Sequence, residues 1–351
     1  MATQLNDRQQ YLLTLLEEND AALGRAKLSD LLAKRYTVSK ITLVRDLNLL
    51  LDEGLIKTVG SGPGTKYCSD TATILRVFEP TPYFEVIQDN RALTAQDNEA
   101  FFAELADIDL LTDAEKVRLD ESNSDFQHRV TTREPDVYRR ELQRFTVELA
   151  WKSSRIEGNT YSLLETEELL KTKQGAAGHT TLETQMILNH KTALDVILAN
   201  LTSFVSFSIT DVMDIHQALT QNLNIESGIR RQPVGITGTN YLPADNEFVL
   251  REQLARALEI ANEKKHPVEA AIILSGLIAY LQPFVDGNKR TARLVGNAIL
   301  LAHDYAALSY RGVDEVAYKE AVLLIDEQHS FYQYKQMFIE QFLFAAEHYF
   351  L

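Results

Sequence analysis

Gln282-Pro283-Phe284-Val285-Asp286-Gly287-Asn288-Lys289-Arg290-Thr291-Ala292-Arg293 gathers a turn, a helix start, a carboxylate and three cations into twelve positions. Upstream, Val268 to Leu281 is apolar almost all round, which predicts a buried helix ending at Pro283, because proline disfavours helical geometry in the residue before it. Asp286-Gly287-Asn288 then opens a second helix over Lys289 to Ala302. Backbone N–H groups at such a helix start, together with the positive end of its dipole, form an anion cradle, and Gly287 lets the backbone approach closely. Lys289, Arg290 and Arg293 add positive charge, and Asp286 is a candidate ligand for a divalent metal bridging phosphate oxygens. The plainer alternative is an interhelical turn capped by Asp286 with solvated charges. Three cations beside the cap and apolar helices on both sides exceed what such a turn needs.

The stretch closely resembles the signature of the Fic (Fido) family, H-P-F-x-D/E-G-N-G/K-R-x-x-R. Pro283, Phe284, Asp286, Gly287, Asn288, Lys289, Arg290 and Arg293 match. The resemblance implies a mainly α fold, an all-helical core with a small β-hairpin flap. It implies transfer of AMP from ATP, with Mg2+, to a hydroxyl (Ser, Thr or Tyr) of a target protein or of the chain itself. It also implies nucleotide contacts from Phe284, Gly287, Asn288, Lys289, Arg290 and Arg293, metal binding by Asp286 and catalytic roles for Asn288 and Arg290. The first position departs, since Gln282 stands where the family has a histidine as general base. A neutral amide donates and accepts hydrogen bonds but takes no proton near neutral pH. Loss of a positioned base typically costs about 10²- to 10⁴-fold in rate.

Working outward, Ser153-Ser154-Arg155-Ile156-Glu157-Gly158-Asn159 resembles a second pattern of the family, [S/T]-x-x-x-E-[G/N], its inhibitory helix, here near 146–158. By that resemblance Glu157 pairs with Arg293 and keeps the γ-phosphate of ATP from seating productively. Ser153 lies one helical turn away on the same face, and Gly158 ends the helix. A carboxylate on a guanidinium competes with phosphate for one fork of donors. The plainer alternative is an exposed glutamate before a glycine cap. Gly228 to Pro243 is the one extended, turn-rich segment of the helical region. It resembles the family's flap, in which Gly235, Ile236, Thr237 and Gly238 would hold an extended target segment by main-chain hydrogen bonds. His216, in an apolar helix, reads as a packed core histidine rather than a base, and Tyr318 to Glu327 resembles part of an adenine pocket.

Residues 1–70 carry nine Lys or Arg and nine Asp or Glu, so nearly all of the net charge of −15 lies beyond them. Helical spacing predicts helices over Asn6 to Glu18, Leu28 to Lys34 and Lys40 to Glu53, the last capped from Thr37 to Ser39 and stopped by Gly54. Leu55 to Val59, glycines at 60, 62 and 64, and Thr65 to Cys68 follow as strand, turn and strand. The order resembles winged helix-turn-helix domains of bacterial transcription regulators. Ile41, Val44, Leu47 and Leu51 are expected to form the buried stripe of the third helix. Ser39, Lys40, Thr42 and Arg45, with Lys57 and Lys66 on the hairpin, are left as the candidate DNA-binding set, diluted by Asp46, Asp52 and Glu53. Protein docking is the alternative use. The glycine run lacks the spacing of a phosphate-binding loop.

The expected organisation is a winged helix at 1–70, a linker and helical arm at 71–140, and a Fic-like domain at 141–351. Within the middle part, Pro80-Thr81-Pro82 and Asp120 to Arg133 read as connections. The 351 residues are 45% apolar, enough for two or three cores, and no 20- to 50-residue repeat is apparent. No N-terminal signal pattern is present, and no apolar run reaches bilayer length. Cys68 is the single cysteine, which rules out an internal disulfide and a cysteine-based zinc site. A cytoplasmic location is the expectation, and a homo-oligomer is compatible with it. Three readings of the site stay open: a slow adenylyltransferase that tolerates Gln282; a hydrolytic, AMP-removing enzyme in which Gln282 orients water; and a catalytically silent, nucleotide-responsive DNA-binding regulator.

Overall fold

The computed structural model describes residues 5–17, 22–60, 62–69, 73–94 and 98–350. It is mainly helical, with one small three-stranded sheet. The N-terminal part contains α1 (Asp7–Glu17), β1 (Leu23–Gly24), α2 (Arg25–Leu32), α3 (Lys40–Asp52), β2 (Ile56–Val59) and β3 (Lys66–Ser69). The sheet is antiparallel in the order β1-β3-β2, with Leu23 opposite Tyr67 and Lys57 opposite Cys68. The hairpin was expected, whereas the two-residue edge strand β1 was not, being too short for a periodic signal.

Helix α3 begins where its cap requires, with the Ser39 hydroxyl accepting from the Thr42 N–H. Its buried face is rotated from the expected stripe. Leu43, Asp46, Leu47 and Leu50 point inward, and Ile41 is 83% exposed. The cause is Asp46, whose carboxylate accepts from Arg8 Nε at 2.7 Å and Arg8 Nη2 at 3.0 Å, and from Gln9 at 3.0 Å. A charge that finds a fork of donors inside can be buried at modest cost, and the helix turns to satisfy it. Asp46 therefore does not dilute the outer face.

The middle part, expected as a linker and helical arm, is mostly helical in its described residues, including the stretches expected as connections. It comprises α4 (Pro80–Glu85), α5 (Asn98–Asp107) and α6 (Asp113–Thr132), followed by α7 (Pro135–Ile156). Pro80 sits in the first turn of α4, where its missing N–H is no loss. The polar stretch Asp120 to Arg133 is the second half of α6, started by a capping box between Thr112 and Glu115. Its sparse apolar positions, Leu119 and Phe126, join Phe101, Phe102 and Leu105 in the main hydrophobic core. A helix that buries one narrow stripe reads as a polar loop in sequence.

The rest is α8 (Leu163–Thr172), α9 (Thr181–Ala199), α10 (Ile209–Thr220), α11 (Glu247–Glu263), α12 (Pro267–Leu281), α13 (Asn288–Ala302), α14 (Glu315–Gln328) and α15 (Tyr332–His348). Every residue of α12 from Val268 to Leu281 is buried, and α13 packs along it. On another face, Gly276 lets Phe331 pack against α12. A Cβ there would stand 2.3 Å from the Phe331 ring. No helix among the described residues is long and apolar enough to cross a membrane.

The flap forms no β-hairpin. Residues 228–246 contain turns but no strand pairing. Their carbonyls are held by a side chain instead. Arg230, itself buried, donates to the carbonyls of Gln232 at 2.8 Å and Ala244 at 2.5 Å, and so closes the segment from within.

Candidate functional site

The loop between α12 and α13 is clamped from three sides. Gln282 caps α12 in the left-handed region, with φ 49° and ψ 55°. Its backbone carbonyl accepts from Arg230 Nε at 2.6 Å, and the Arg230 N–H donates to the Pro283 carbonyl at 2.9 Å. The Asn288 side chain bridges back to Phe284, accepting from its N–H and donating to its carbonyl, both at 2.8 Å. Both ends of the Asn288 amide are therefore spent on the turn. Asn288 thereby shapes the loop as well as lining the cavity.

Phe284, expected to touch nucleotide, is fully buried and stacks on His216 at 3.7 Å, the rings 7° from parallel. His216 Nε2 donates to the Asp286 carbonyl at 2.9 Å, and burial pulls its pKa down to about 4. It is neutral, engaged and unsuited to replace the missing base.

The start of α13 is left open. Gly287, with φ 82°, is the N-cap and supplies no side-chain bond, so the first-turn N–H groups of Asn288 to Arg290 are not spent on a cap. A side chain at Gly287 would be strained and would crowd Thr220 at 3.2 Å. Arg290 is nearly buried, reaches Asp286 at 3.3 Å through Nη2, and leaves Nη1 without a partner. An unpaired buried guanidinium donor beside open amides fits an anionic group.

Arg293 lies beneath, fully buried. Its Nε donates to Ser153 Oγ and its Nη2 to the Ser153 carbonyl, both at 2.9 Å, and Nη2 also reaches Glu157 Oε1 at 2.8 Å. The Tyr318 ring covers it at 5.1 Å. Burial works against the charged form of Glu157, but Arg293, Lys289 and Arg290 outweigh that and hold its pKa below the ordinary value. Ser153 Oγ in turn donates to His190 Nε2 at 2.9 Å, since His190 Nδ1 donates to the Met186 carbonyl. Burial pushes the His190 pKa down to about 3, so this acceptor stays neutral. Glu183 to His190 continues the resemblance to the family, but the sequence assigns His190 no role. A histidine on an apolar helix gives no sign of what it will meet across the fold.

Gln282, Asp286, Gly287, Asn288, Lys289, Arg290, Glu157, Gly158, Gly235, Ile236 and Thr237 all line one cavity of about 500 Å³, within the range of small-molecule sites. Ser153, Phe284, Arg293 and Gly238 do not line it; the first three support it from behind. Lys319 and Leu323 of α14 complete the wall, the part of the adenine-pocket segment that reaches it. Gln282 Nε2 donates to the Ala279 carbonyl at 2.5 Å. A carbonyl only accepts, so Oε1 is the end of the amide left for a ligand. Among the described residues no group of three or more His, Cys, Asp or Glu could hold a metal alone. Asp286, with its carboxylate 65% exposed, fits Mg2+ in the way that ion is usually held, by one carboxylate together with nucleotide phosphates.

The Fic/DOC family model matches residues 206–300, which include the flap, α12, the loop and most of α13. Over 158 residues the chain is 30% identical to a protein adenylyltransferase Fic of Drosophila melanogaster, covering 44% of this chain and 32% of that protein. A protein of the same name from Nematostella vectensis is 29% identical over 174 residues, 48% of this chain and 41% of its own. The match thus spans less than half the length of either relative. Fic-1 from C. elegans shares the fold at a TM-score of 0.61 and 16% identity, over 97% of this chain and 95% of that one. A Fic family protein from Desulfovibrio desulfuricans does so at 0.55 and 21%, over 68% and 74%. Glu157 and Lys319 lie outside the matched Fic/DOC stretch yet face its cavity.

The proposed DNA-contacting residues divide. Lys40, Arg45, Lys57 and Lys66 are exposed. Ser39 and Thr42 spend their hydroxyls on each other at 2.9 Å, at the start of α3.

Proposed function

We propose that the chain is a slow, autoinhibited protein adenylyltransferase that uses ATP and Mg2+. The observation that carries this reading is the single cavity shared by an uncapped helix start, Arg290 with an unpaired donor, the flap backbone and the Glu157 carboxylate. In this reading the Asn288 to Arg290 amides and Arg290 bind the phosphates, where fixed donors stabilise charge that develops during transfer. Asp286 would hold Mg2+, which neutralises phosphate charge when bound. The target's hydroxyl oxygen attacks the α-phosphorus, the bond to pyrophosphate breaks, and AMP stays on the target. Gln282 Oε1 accepts a hydrogen bond from that hydroxyl and orients it. Its proton leaves to solvent, because an amide does not take it, and the reaction is correspondingly slow. Glu157 occupies a donor of Arg293 and must move for the γ-phosphate to seat.

The test is to incubate labelled ATP and Mg2+ with the natural chain, Glu157→Gly, Gln282→His, the double variant and Arg290→Ala, and to follow label on protein. We expect the double variant to label most and Arg290→Ala least. Failure of every variant to bind ATP would sink the reading. Label in Gln282→His alongside none in Glu157→Gly would favour a nucleotide sensor without transfer.

A second role is supported by the N-terminal part. With Asp46 turned inward, Ile41, Arg45 and Asn48 share an exposed face beside Lys40, Lys57 and Lys66. We propose that this winged-helix-like module binds DNA by α3 and the hairpin. A gel shift of the full chain over a salt series tests it, since phosphate contacts must weaken steeply as salt rises.

A further inference from the structure

We infer that residues 80–94 form a strap that fixes the flap in place, and that Arg91 is the positioning residue through which it does so. The inference rests on the proposed transferase reading only for its consequence in catalysis. Arg91 stands 236 residues before Glu327 of α14, and the two make a forked pair, Nε to Oε2 and Nη2 to Oε1, both at 2.9 Å. The pair is almost dry, with side chains 6% and 1% exposed. The same Nη2 also donates to the carbonyl of Gly238, at the turn that ends the cavity-lining part of the flap. Nη1 ties back to the Val86 carbonyl at 3.2 Å, so the guanidinium joins strap, flap and α14 at one point.

Neighbouring contacts make this a built device rather than a stray bond. Gln88 Nε2 donates to Asn240 Oδ1 at 2.8 Å, and Asn240 Nδ2 reaches Asp89 at 3.3 Å, a second link from strap to flap. Tyr83 donates to Glu327 Oε2 at 2.6 Å, and the Thr94 N–H donates to the Glu327 carbonyl at 2.8 Å. The flap has no strand ladder of its own, so these links and Arg230 join the core packing of Ile236 and Tyr241 in ordering its backbone. Arg230 secures Gln232 and Ala244, at its two ends, and Arg91 with Asn240 secures the turn between them.

A planar fork can serve a carboxylate and a carbonyl at once, whereas an ammonium keeps its charge but not that geometry. Arg91→Lys should therefore retain attraction to Glu327 and lose the hold on Gly238. Asn240→Ala removes the second link and leaves the buried pair whole.

The test uses the full chain and hydrogen exchange of the flap amides from Ile236 to Tyr241. Exchange there should accelerate on the order of tenfold in Arg91→Lys and in Asn240→Ala, while the amides of α13 and the affinity for ATP stay as in the natural chain. In the Glu157→Gly, Gln282→His background, the same changes should leave KM for ATP unaltered and lower the rate of labelling about tenfold, since misplaced acceptors cost rate. Unchanged flap exchange in both variants would overturn the inference, as would equal acceleration in α13, which would mean general loosening. Flap loosening in a chain that binds no ATP would support the strap and sink the transferase reading instead.

Discussion

At the start of α13 two arginines are buried and fixed in place, whereas on α3 and the hairpin of the N-terminal module Arg45, Lys57 and Lys66 lie exposed outside a small leucine core. Arg293 has three hydrogen bonds and no exposure, and Arg290 is held beside Asp286. Arg45, Lys57 and Lys66 are exposed. In the roles proposed for the two regions, the difference is one of task. A site that must place one phosphate group holds its donors rigid before the ligand arrives, while a surface that meets a long polyanion gains from mobile charges and releases counterions.

The largest expected effect tests the one gap in the rigid site. In a Glu157→Gly background, Gln282→His should raise the rate of protein labelling by about 10²- to 10⁴-fold, the typical worth of a positioned base. A smaller rise measured with labelled ATP would show that orientation alone already carries the reaction.

Next come two changes that separate the regions by stability. Leu47→Ala in the N-terminal core should destabilise that module by about 2–5 kcal/mol and leave ATP binding intact, as read by thermal melts with and without nucleotide. Gly276→Ala should cost about 1–3 kcal/mol by forcing a methyl against Phe331, and it should weaken ATP binding with it. If both variants lowered ATP affinity alike, the regions would not be independent.

Two smaller effects follow. Arg45→Ala should reduce the salt dependence of DNA binding by about one phosphate contact in a gel-shift series, with no effect on labelling. The pH dependence of inhibition has a definite sign. The Glu157 pKa is depressed below its ordinary 4.5, so the Arg293 contact is complete above that value and is lost only as pH falls through the lower folded one. The ratio of labelling by Glu157→Gly to that by the natural chain should therefore stay flat from pH 6 to 8. A step near neutrality would mean that another group controls the switch.

Much of this was legible in the sequence, because local patterns encode local structure. The apolar run of α12, the turn at Gly287 and the cap at Ser39 appear where their chemistry requires. The Glu157 to Arg293 pair came from family resemblance rather than from spacing, and the two groups do meet. Partners distant in the chain were hidden. Nothing near Asp46 announces Arg8, nothing near Arg91 announces Glu327, and nothing near Arg293 announces that Ser153 relays to His190. Such pairings decide which way α3 faces, how the flap is held without a ladder and why residues 80–94 lie against α14. Phe284 lies in the expected loop but stacks on His216 instead of lining the cavity, and the Asn288 side chain shapes the turn while its backbone N–H stays uncapped.

Gln282 holds its backbone in the left-handed region, which for any residue with a Cβ costs about 1–2 kcal/mol. That strain comes from the backbone and the Cβ, so it is the same whether the side chain ends in an amide or an imidazole. The turn thus presents a side chain to the cavity whatever its chemistry. Glycine at 282 would relax the loop and leave that wall bare, and histidine would enter with no change of backbone path. If the proposed transferase reading holds, a faster enzyme would then lie one substitution away.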